Sequence, residues 1–422
     1  MVQNRNVTQS KSSLFTIFLV VFIDMLGIGI VIPILAPLFL DITNGILPAA
    51  YQLATRTILL GLLIASFPLA QFFGAPILGA LSDHIGRKKV LLLSIFGTLI
   101  GYTLFGIGII TGNLVLLFIS RILDGFTGGN IAVALSSIAD MSDERAKAKN
   151  FGLVYMAFGF GFIIGPYVGG KLADPSIVSW FNYATPFWFA SCVVLLNLLL
   201  VFWKFRETLT TRVNTPISLL TGFRNIRRAF QLSNVRTMFI IVFLLTLGFS
   251  FFTQFFQVYL IEKFQFTQSN IGDLFAYVGI WIALTQGILT RVFSKKFEPP
   301  KILSVSVLGL GIALMTLLLP DRSFILFFLL PFIAMFQGLT IPNATAIVSS
   351  LSGKESQGEI LGINQSIQSL GQAIPPIVAG FVVTVHRSLP ILLASGITLL
   401  AWITFMVFFK QRSRTQEVFH EV

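Results

Sequence analysis

Apolar stretches longer than about 18 residues follow one another along almost the whole chain, and the charge collects in the short segments between them. Runs of that length read as helices crossing a membrane. About 20 residues, rising 1.5 Å each, span the ~30 Å of hydrocarbon, and a helix satisfies its own backbone polar groups there. We place twelve spans, at 14–40, 57–81, 89–111, 114–140, 150–172, 185–204, 237–261, 271–293, 300–319, 323–350, 359–385 and 388–410. The predicted fold is therefore all-α and integral to the membrane. The polar start, MVQNRNVTQSKSSLF, leads into an apolar run longer than a signal-peptide core and reads as a tail ahead of the first span.

The cations set the orientation. One side takes Arg5, Lys11, Arg87, Lys88, Lys89, Arg145, Lys147 and Lys149, then the arginine-rich connection at 204–236, then Arg291, Lys295, Lys296, Lys301, Lys354 and the tail. The other side takes Arg56, Lys171, Lys263, Arg322 and Arg387 alone. By the positive-inside rule both termini and the central connection are expected in the cytoplasm, with the chain in a cell inner membrane. The connection divides the sequence into a bundle at 1–204, a linker at 205–236 and a second bundle at 237–422. Within the linker, LLTGFRNIRRAFQL alternates apolar and basic residues at helical spacing, as a short helix lying on the inner leaflet would.

Composition agrees with this picture. Hydrophobic residues make up 55% of the chain and charged residues 11%, well under the usual quarter. The net charge of +12 is mostly the orientation signal itself, so no nucleic-acid partner is needed to explain it. Cys192 stands alone and the three histidines are dispersed, which leaves no metal site or disulfide framework in the pattern, and no cofactor is expected. A membrane-embedded enzyme would need His, Cys or carboxylates clustered near one face, and the sequence offers no such cluster.

Twelve spans in a six-plus-six arrangement suit a secondary transporter. The turn GALSDHIGRKK between spans two and three then acquires a role. Gly79 is expected to let helices approach, Asp83 to meet a helix N-terminus of the other half, and Arg87, Lys88 and Lys89 to anchor the turn at the anionic leaflet. Asp140, at the cytoplasmic end of span four, is the expected partner of Arg87. This stretch resembles the signature loop of the major facilitator superfamily, with Gly79, Asp83, Gly86, Arg87 and Lys88 at matching positions. The resemblance implies two pseudo-symmetric six-helix bundles and a cytoplasmic gate built on Asp83 and Arg87.

The likeness runs along the chain. SRILDGFTGGNIAVALSSIAD in span four resembles the family's second signature, and FIDMLGIGIVIPILAPL in span one and SGKESQGEILG before span eleven also fit. In span five, GFGFIIGPYVGG resembles the signature of the proton-driven antiporter branch, with Gly161, Gly165, Pro166, Gly169 and Gly170. Gly161, Gly165 and Gly169 share one face, which helix packing in lipid alone would also favour. The group resembled most is that of tetracycline/proton antiporters. Its pattern has further titratable residues in spans three, eight and nine, where this chain has Gly101, Ile282 and Leu308, so tetracycline itself is not implied as the substrate.

Ionisable residues within spans are costly, about 2.5–3.5 kcal/mol each at mid-helix, and mark function by default. Asp24 lies midway along span one, and Arg121 and Asp124 lie three residues apart on one face of span four. Spans one and four line the central cavity in the superfamily, so the three are expected to form one proton-coupling cluster, Asp24 carrying the proton and Arg121 tuning it. Arg121–Asp124 could equally be a structural pair. The C-terminal half offers neutral amides and aromatics instead: Gln254, Gln257, Trp281, Gln286, Gln337, Asn343, Asn364, Gln368 and Gln372, as suits a largely apolar ligand with several hydrogen-bonding groups. The resulting expectation is a monomeric carrier exporting an amphipathic small molecule in exchange for protons; the rival is an importer or uniporter of a small metabolite or sugar. A receptor of the same fold that binds without moving its ligand is a third possibility.

Overall fold

The computed structural model describes residues 2–141, 144–209, 220–232, 235–351 and 357–409. All of its regular structure is helical: α1 (Val2–Leu40), α2 (Leu53–Ile85), α3 (Arg87–Ile110), α4 (Leu114–Thr127), α5 (Ile131–Met141), α6 (Glu144–Leu172), α7 (Thr185–Lys204), α8 (Thr221–Gln231), α9 (Arg236–Phe264), α10 (Gln268–Leu284), α11 (Thr290–Ser294), α12 (Pro299–Thr316), α13 (Leu326–Ser350), α14 (Gln357–Val382) and α15 (Leu389–Thr404). Among the described residues, ten helical segments are long and apolar enough to cross a membrane. The helices α6 and α14, of 29 and 26 residues, occupy the places read as spans five and eleven.

Several spans depart from a plain rod. Span four is α4 and α5 joined by a tight turn at Gly128–Asn130. Span eight widens by one residue per turn at Thr285–Leu289 between α10 and α11. Proline kinks the inventory elsewhere: Pro33 and Pro37 lie inside α1, and Pro375 and Pro376 inside α14.

The helices sort into two compact units. The first holds residues 1–52, 66–221 and 266–279, and the second holds 53–65, 222–265 and 280–422. The units thus exchange short pieces relative to a cut at the central connection: the start of α2 packs with the second, and the start of α10 with the first. Small residues make both exchanges possible. In the second unit a Cβ on Gly61 would strike the Pro376 carbonyl, and one on Gly380 would lie 2.7 Å from the Thr57 carbonyl. In the first, a Cβ on Gly170 would lie 2.7 Å from the Gln268 carbonyl and 3.1 Å from the Gly272 Cα. Backbones meet here without intervening side chains, as helices in lipid favour.

The core of the second unit is built on α9, whose Met238, Phe239, Ile241, Val242 and Leu245 pack with Leu303, Val307, Ile347, Val348 and Ile363. Arg56, read as a cation of the outer loop, is instead buried in the first turns of α2, which begins at Leu53 rather than near 57.

Candidate functional site

The turn between spans two and three is shorter than its sequence suggests. α2 continues through Asp83 and His84 to Ile85, and α3 begins at Arg87, so the connection is Gly86 alone. Gly86 has φ 106°, a region that side-chain-bearing residues avoid. A Cβ there would also collide with the Glu207 carboxylate. Glu207 follows α7 and accepts hydrogen bonds from the backbone N–H of Arg87 at 2.9 Å and of Lys88 at 3.2 Å. It therefore caps α3, setting a negative charge against the exposed donors of a helix N-terminus.

Arg87 is buried at the centre of this corner. Its guanidinium reaches Asp83 at 2.6 Å and Asp140 at 3.0 Å, and donates to the Ser82 hydroxyl. Thr208 adds a hydroxyl to Asp140 at 3.3 Å. Lys88 turns outward, donating to the Phe202 carbonyl at 2.8 Å and lying over the Phe202 ring. Gly79 departs from its expected role: no described residue comes within 4 Å of where its Cβ would stand, and its carbonyl accepts the Ser82 hydroxyl at 2.7 Å. The close approaches of α2 lie deeper, at Gly74 against the Phe126 backbone. Lys354 and the cations of the tail lie outside the described residues.

Midway through the first unit, α1, α3 and α4 bring the charged residues together. Arg121 pairs with Asp124 at 3.0 Å, both buried, and its guanidinium lies 4.5 Å from the centre of the Phe67 ring. That ring supplies a face to a cation that has few other partners. Asp24 and Asp124 line one cavity of about 10 Å³, together with Phe67, Thr98, Tyr102 and Gly128. The site is tightly walled: Tyr102 sets its hydroxyl against Gly27, one turn beyond Asp24, and Thr98 meets Thr127 at 3.0 Å.

The glycine face of α6 clamps α1 just beyond Asp24. Cβ atoms on Gly161, Gly165 and Gly169 would lie against the backbone of Met25, Leu26, Gly29 and Ile30, and Gly29 is equally closed by Pro166. Gly170 points the other way, to α10. There Lys171 donates to Asp273 at 2.8 Å and to Ser269 at 2.9 Å. One helix thus carries two seams, one for the span bearing Asp24 and one for the span bearing Asp273.

The amides of the second unit divide by whether they are already bonded. Asn343 is buried and donates to Leu339 of its own helix at 2.7 Å. Gln257 is buried with its Oε1 unpartnered, its amide nitrogen reaching the Gln254 carbonyl at 3.4 Å. Asn364 is buried with Oδ1 unpartnered. Gln254, Gln337, Gln368 and Gln372 are half-buried, while Trp281 and Gln286 are exposed, Gln286 within the widened turn of span eight.

The arrangement of helices has counterparts among known proteins. The Major Facilitator Superfamily model matches residues 17–290 and, again, 238–421. The chain belongs to that superfamily. It is accordingly a membrane transporter and not an enzyme. It is 27% identical over 424 residues to the quinolone resistance protein NorA of Staphylococcus aureus, covering 96% of this chain and 99% of that one. It is 29% identical to the class C tetracycline resistance protein of Escherichia coli, covering 88% and 89%. Among solved structures, the human organic anion transporter MFSD10 superposes with a TM-score of 0.72 at 21% identity, over 94% of this chain and 99% of that one. A D-xylose–proton symporter does so with a TM-score of 0.74 at 17% identity, over 94% and 98%. Likeness at that level shows the shared fold.

Gly101, expected to stand where the tetracycline-group pattern has a span-three acid, lies beside span four. A Cβ on Gly101 would lie 3.1 Å from the Asp124 Cβ, so the carboxylate of span four occupies that neighbourhood. Three site residues escaped the sequence reading. Glu207 is an acid amid the basic stretch KFRETL, and that contrast was the available signal. Tyr102 and Asn130 carried no signal until the helices were assembled around Asp24.

Proposed function

We propose that this chain exports an amphipathic organic compound in exchange for protons by alternating access. The observation that carries the reading is the buried cavity shared by Asp24 and Asp124, with Arg121 paired to Asp124 behind it. Two carboxyls beside one guanidinium form a site whose charge changes by one unit when a proton enters or leaves, and that is the element a proton-driven cycle needs. Asp24 has no ion partner among the described residues, which leaves it free to titrate, whereas Asp124 is held by Arg121.

The glycine seam of α6 couples this site to movement. α1 is gripped at Met25–Ile30, next to Asp24, so sliding of α6 against α1 changes the surroundings of the carboxyl directly. The corner at Gly86 is the cytoplasmic gate: Arg87 bound to Asp83 and Asp140, with Glu207 on the α3 cap, forms an ion network that opens and closes as a unit. One proton entering down a potential of ~100 mV supplies about 2.3 kcal/mol toward export.

Relatives named for resistance to quinolones and tetracyclines favour a polycyclic compound with several hydrogen-bonding groups, for which Gln254, Gln257, Gln337 and Asn364 of the second unit are the proposed contacts. We place the carrier in a cell inner membrane as a monomer, both termini cytoplasmic, its two bundles divided at the central connection.

The test is proton release from energised inverted vesicles on adding norfloxacin, tetracycline and related amphipathic compounds, comparing wild type with Asp24→Asn. Compound-driven proton movement is expected in the wild type and is expected to vanish in Asp24→Asn while counterflow persists. Counterflow without any driven proton movement in the wild type would refute antiport and leave a uniporter.

A further inference from the structure

Span four is broken at one turn, and the break has a product. Between α4 and α5, Gly128–Asn130 tightens the helix and turns Asn130 into the interior. Asn130 is completely buried, and both polar atoms of its side chain lack a hydrogen-bond partner. Its amide nevertheless lies beside the Asp24 carboxyl, whose Oδ2 is likewise buried and unpartnered. Two unpartnered polar groups at one place inside a membrane protein ask for a functional explanation. An apolar residue would fill the same turn without that cost.

An amide has a property suited to this position. It is neutral, and it can donate through nitrogen or accept through oxygen. Asn130 can therefore donate to Asp24 when the carboxyl is charged and accept its O–H when it is protonated, with no change of net charge. Arg121 could serve only the charged form. Among the described residues, the charged and titratable groups facing Asp24 are Tyr102 from α3 and Asp124, backed by Arg121, from α4. The glycine seam of α6 lies against Met25 and Leu26, the residues that follow Asp24 in α1. The cavity that Asp24 shares with Asp124, about 10 Å³, has room for about one water, so the carboxyl has an outlet there.

We propose that Asn130 is a positioning residue for proton coupling: the broken turn of span four holds its amide against Asp24, supporting the carboxyl in both protonation states while its proton is exchanged through the cavity shared with Asp124. This rests on the reading of Asp24 as the proton carrier. It adds a residue outside the charged cluster and assigns a purpose to the break in the helix.

The test is infrared difference spectroscopy of the full chain reconstituted in liposomes, titrated with pH and requiring no transported compound. The carboxylic C=O band that disappears in Asp24→Asn belongs to Asp24. In Asn130→Leu that band is expected to move to higher frequency, as a hydrogen bond is lost, and its titration midpoint to move by about one pH unit. Asn130→Ser, which keeps a group able to donate and accept, is expected to return both toward wild type. Should Asn130→Leu fail to fold, Asn130→Ala against Asn130→Ser makes the same comparison without added bulk. An Asp24 band unchanged in frequency and midpoint in the Leu and Ala variants would overturn the role of Asn130 while leaving Asp24 as carrier. If Asp24→Asn removes no titrating band, the reading of Asp24 as carrier falls, and this role with it.

Discussion

In the first unit the polar groups at mid-span are charged and adjacent, and in the second they are neutral and dispersed. Asp24, Arg121 and Asp124 gather around one small cavity walled by Phe67, Thr98 and Tyr102. Gln257, Asn343 and Asn364 lie on three different helices, α9, α13 and α14. Arg121 and Asp124 hold each other as a buried ion pair, so the surroundings of Asp24 have little freedom in their arrangement. An amide costs less to bury and can be left half-bonded, so the second unit can keep donors and acceptors in reserve for a ligand. The difference suggests a division of labour: protons are handled where partners are fixed, and compounds where they are not.

The strongest way to break this comparison is to remove one member of the buried pair. Arg121→Leu leaves Asp124 uncompensated, which should cost about 3–5 kcal/mol and sharply lower the yield of folded protein. Arg121→Leu combined with Asp124→Leu removes both charges and should recover most of that loss. Thermal denaturation in detergent, read alongside expression, checks both. If the double variant folds but no longer releases protons on adding compound, the pair belongs to coupling as well as to structure. If the single variant is as stable as wild type, the charges are hydrated and the premise of fixed partners fails.

A smaller effect is expected within the first unit, where α6 meets the start of α10. Lys171 and Asp273 are partly exposed, so their pair contributes no more than about 1 kcal/mol to stability. Its value lies in the seam beneath, where Gly170 and Gly272 bring two backbones together. Lys171→Glu faces Asp273 with a like charge and should slow export about two- to fivefold at unchanged thermal stability. Exchanging the two residues, Lys171→Asp with Asp273→Lys, should restore the rate. A rate that stays low in the exchanged variant would mean that shape, and not charge, holds this seam.

Much of this architecture was legible in the sequence, and the parts that were not share a cause. The apolar spans follow from residue counts, which report on the bilayer and need no tertiary contact. Arg87 with Asp140, and Asp24 with Asp124, could be anticipated because few ionisable residues occur near those depths and each needs a neighbour. What stayed hidden depends on a register that only packing sets. Asn130 reaches the interior because three residues adopt a tighter turn, and Gln286 lies exposed within a turn that is wider. Gly86 was expected to sit in a turn, yet the connection shrinks to that single residue because the Glu207 carboxylate, 120 residues away, caps the next helix. Gly79 was expected at a helix crossing, and the crossings lie instead at Gly74, Gly125 and Gly129, deeper in the same packed pair.

The mildest and most discriminating change concerns the amides themselves. Asn343 already bonds the Leu339 carbonyl, whereas the Gln257 oxygen has no partner, although both side chains are buried. If unpartnered groups are the ones kept for ligand, the two should respond differently to the same substitution. Gln257→Leu removes a ligand contact worth about 0.5–1.5 kcal/mol and should raise the apparent KM for a transported compound about two- to twelvefold. Its stability should hold or improve slightly, since an unsatisfied buried oxygen is gone. Asn343→Leu should leave KM within twofold, because that amide is spent within its own helix. Neither change should alter the protons released per compound exported, which are set in the other unit. An equal rise in KM from both would show that existing hydrogen bonds do not predict which amides meet the compound, and an altered proton ratio from either would show that the two chemistries are not kept apart.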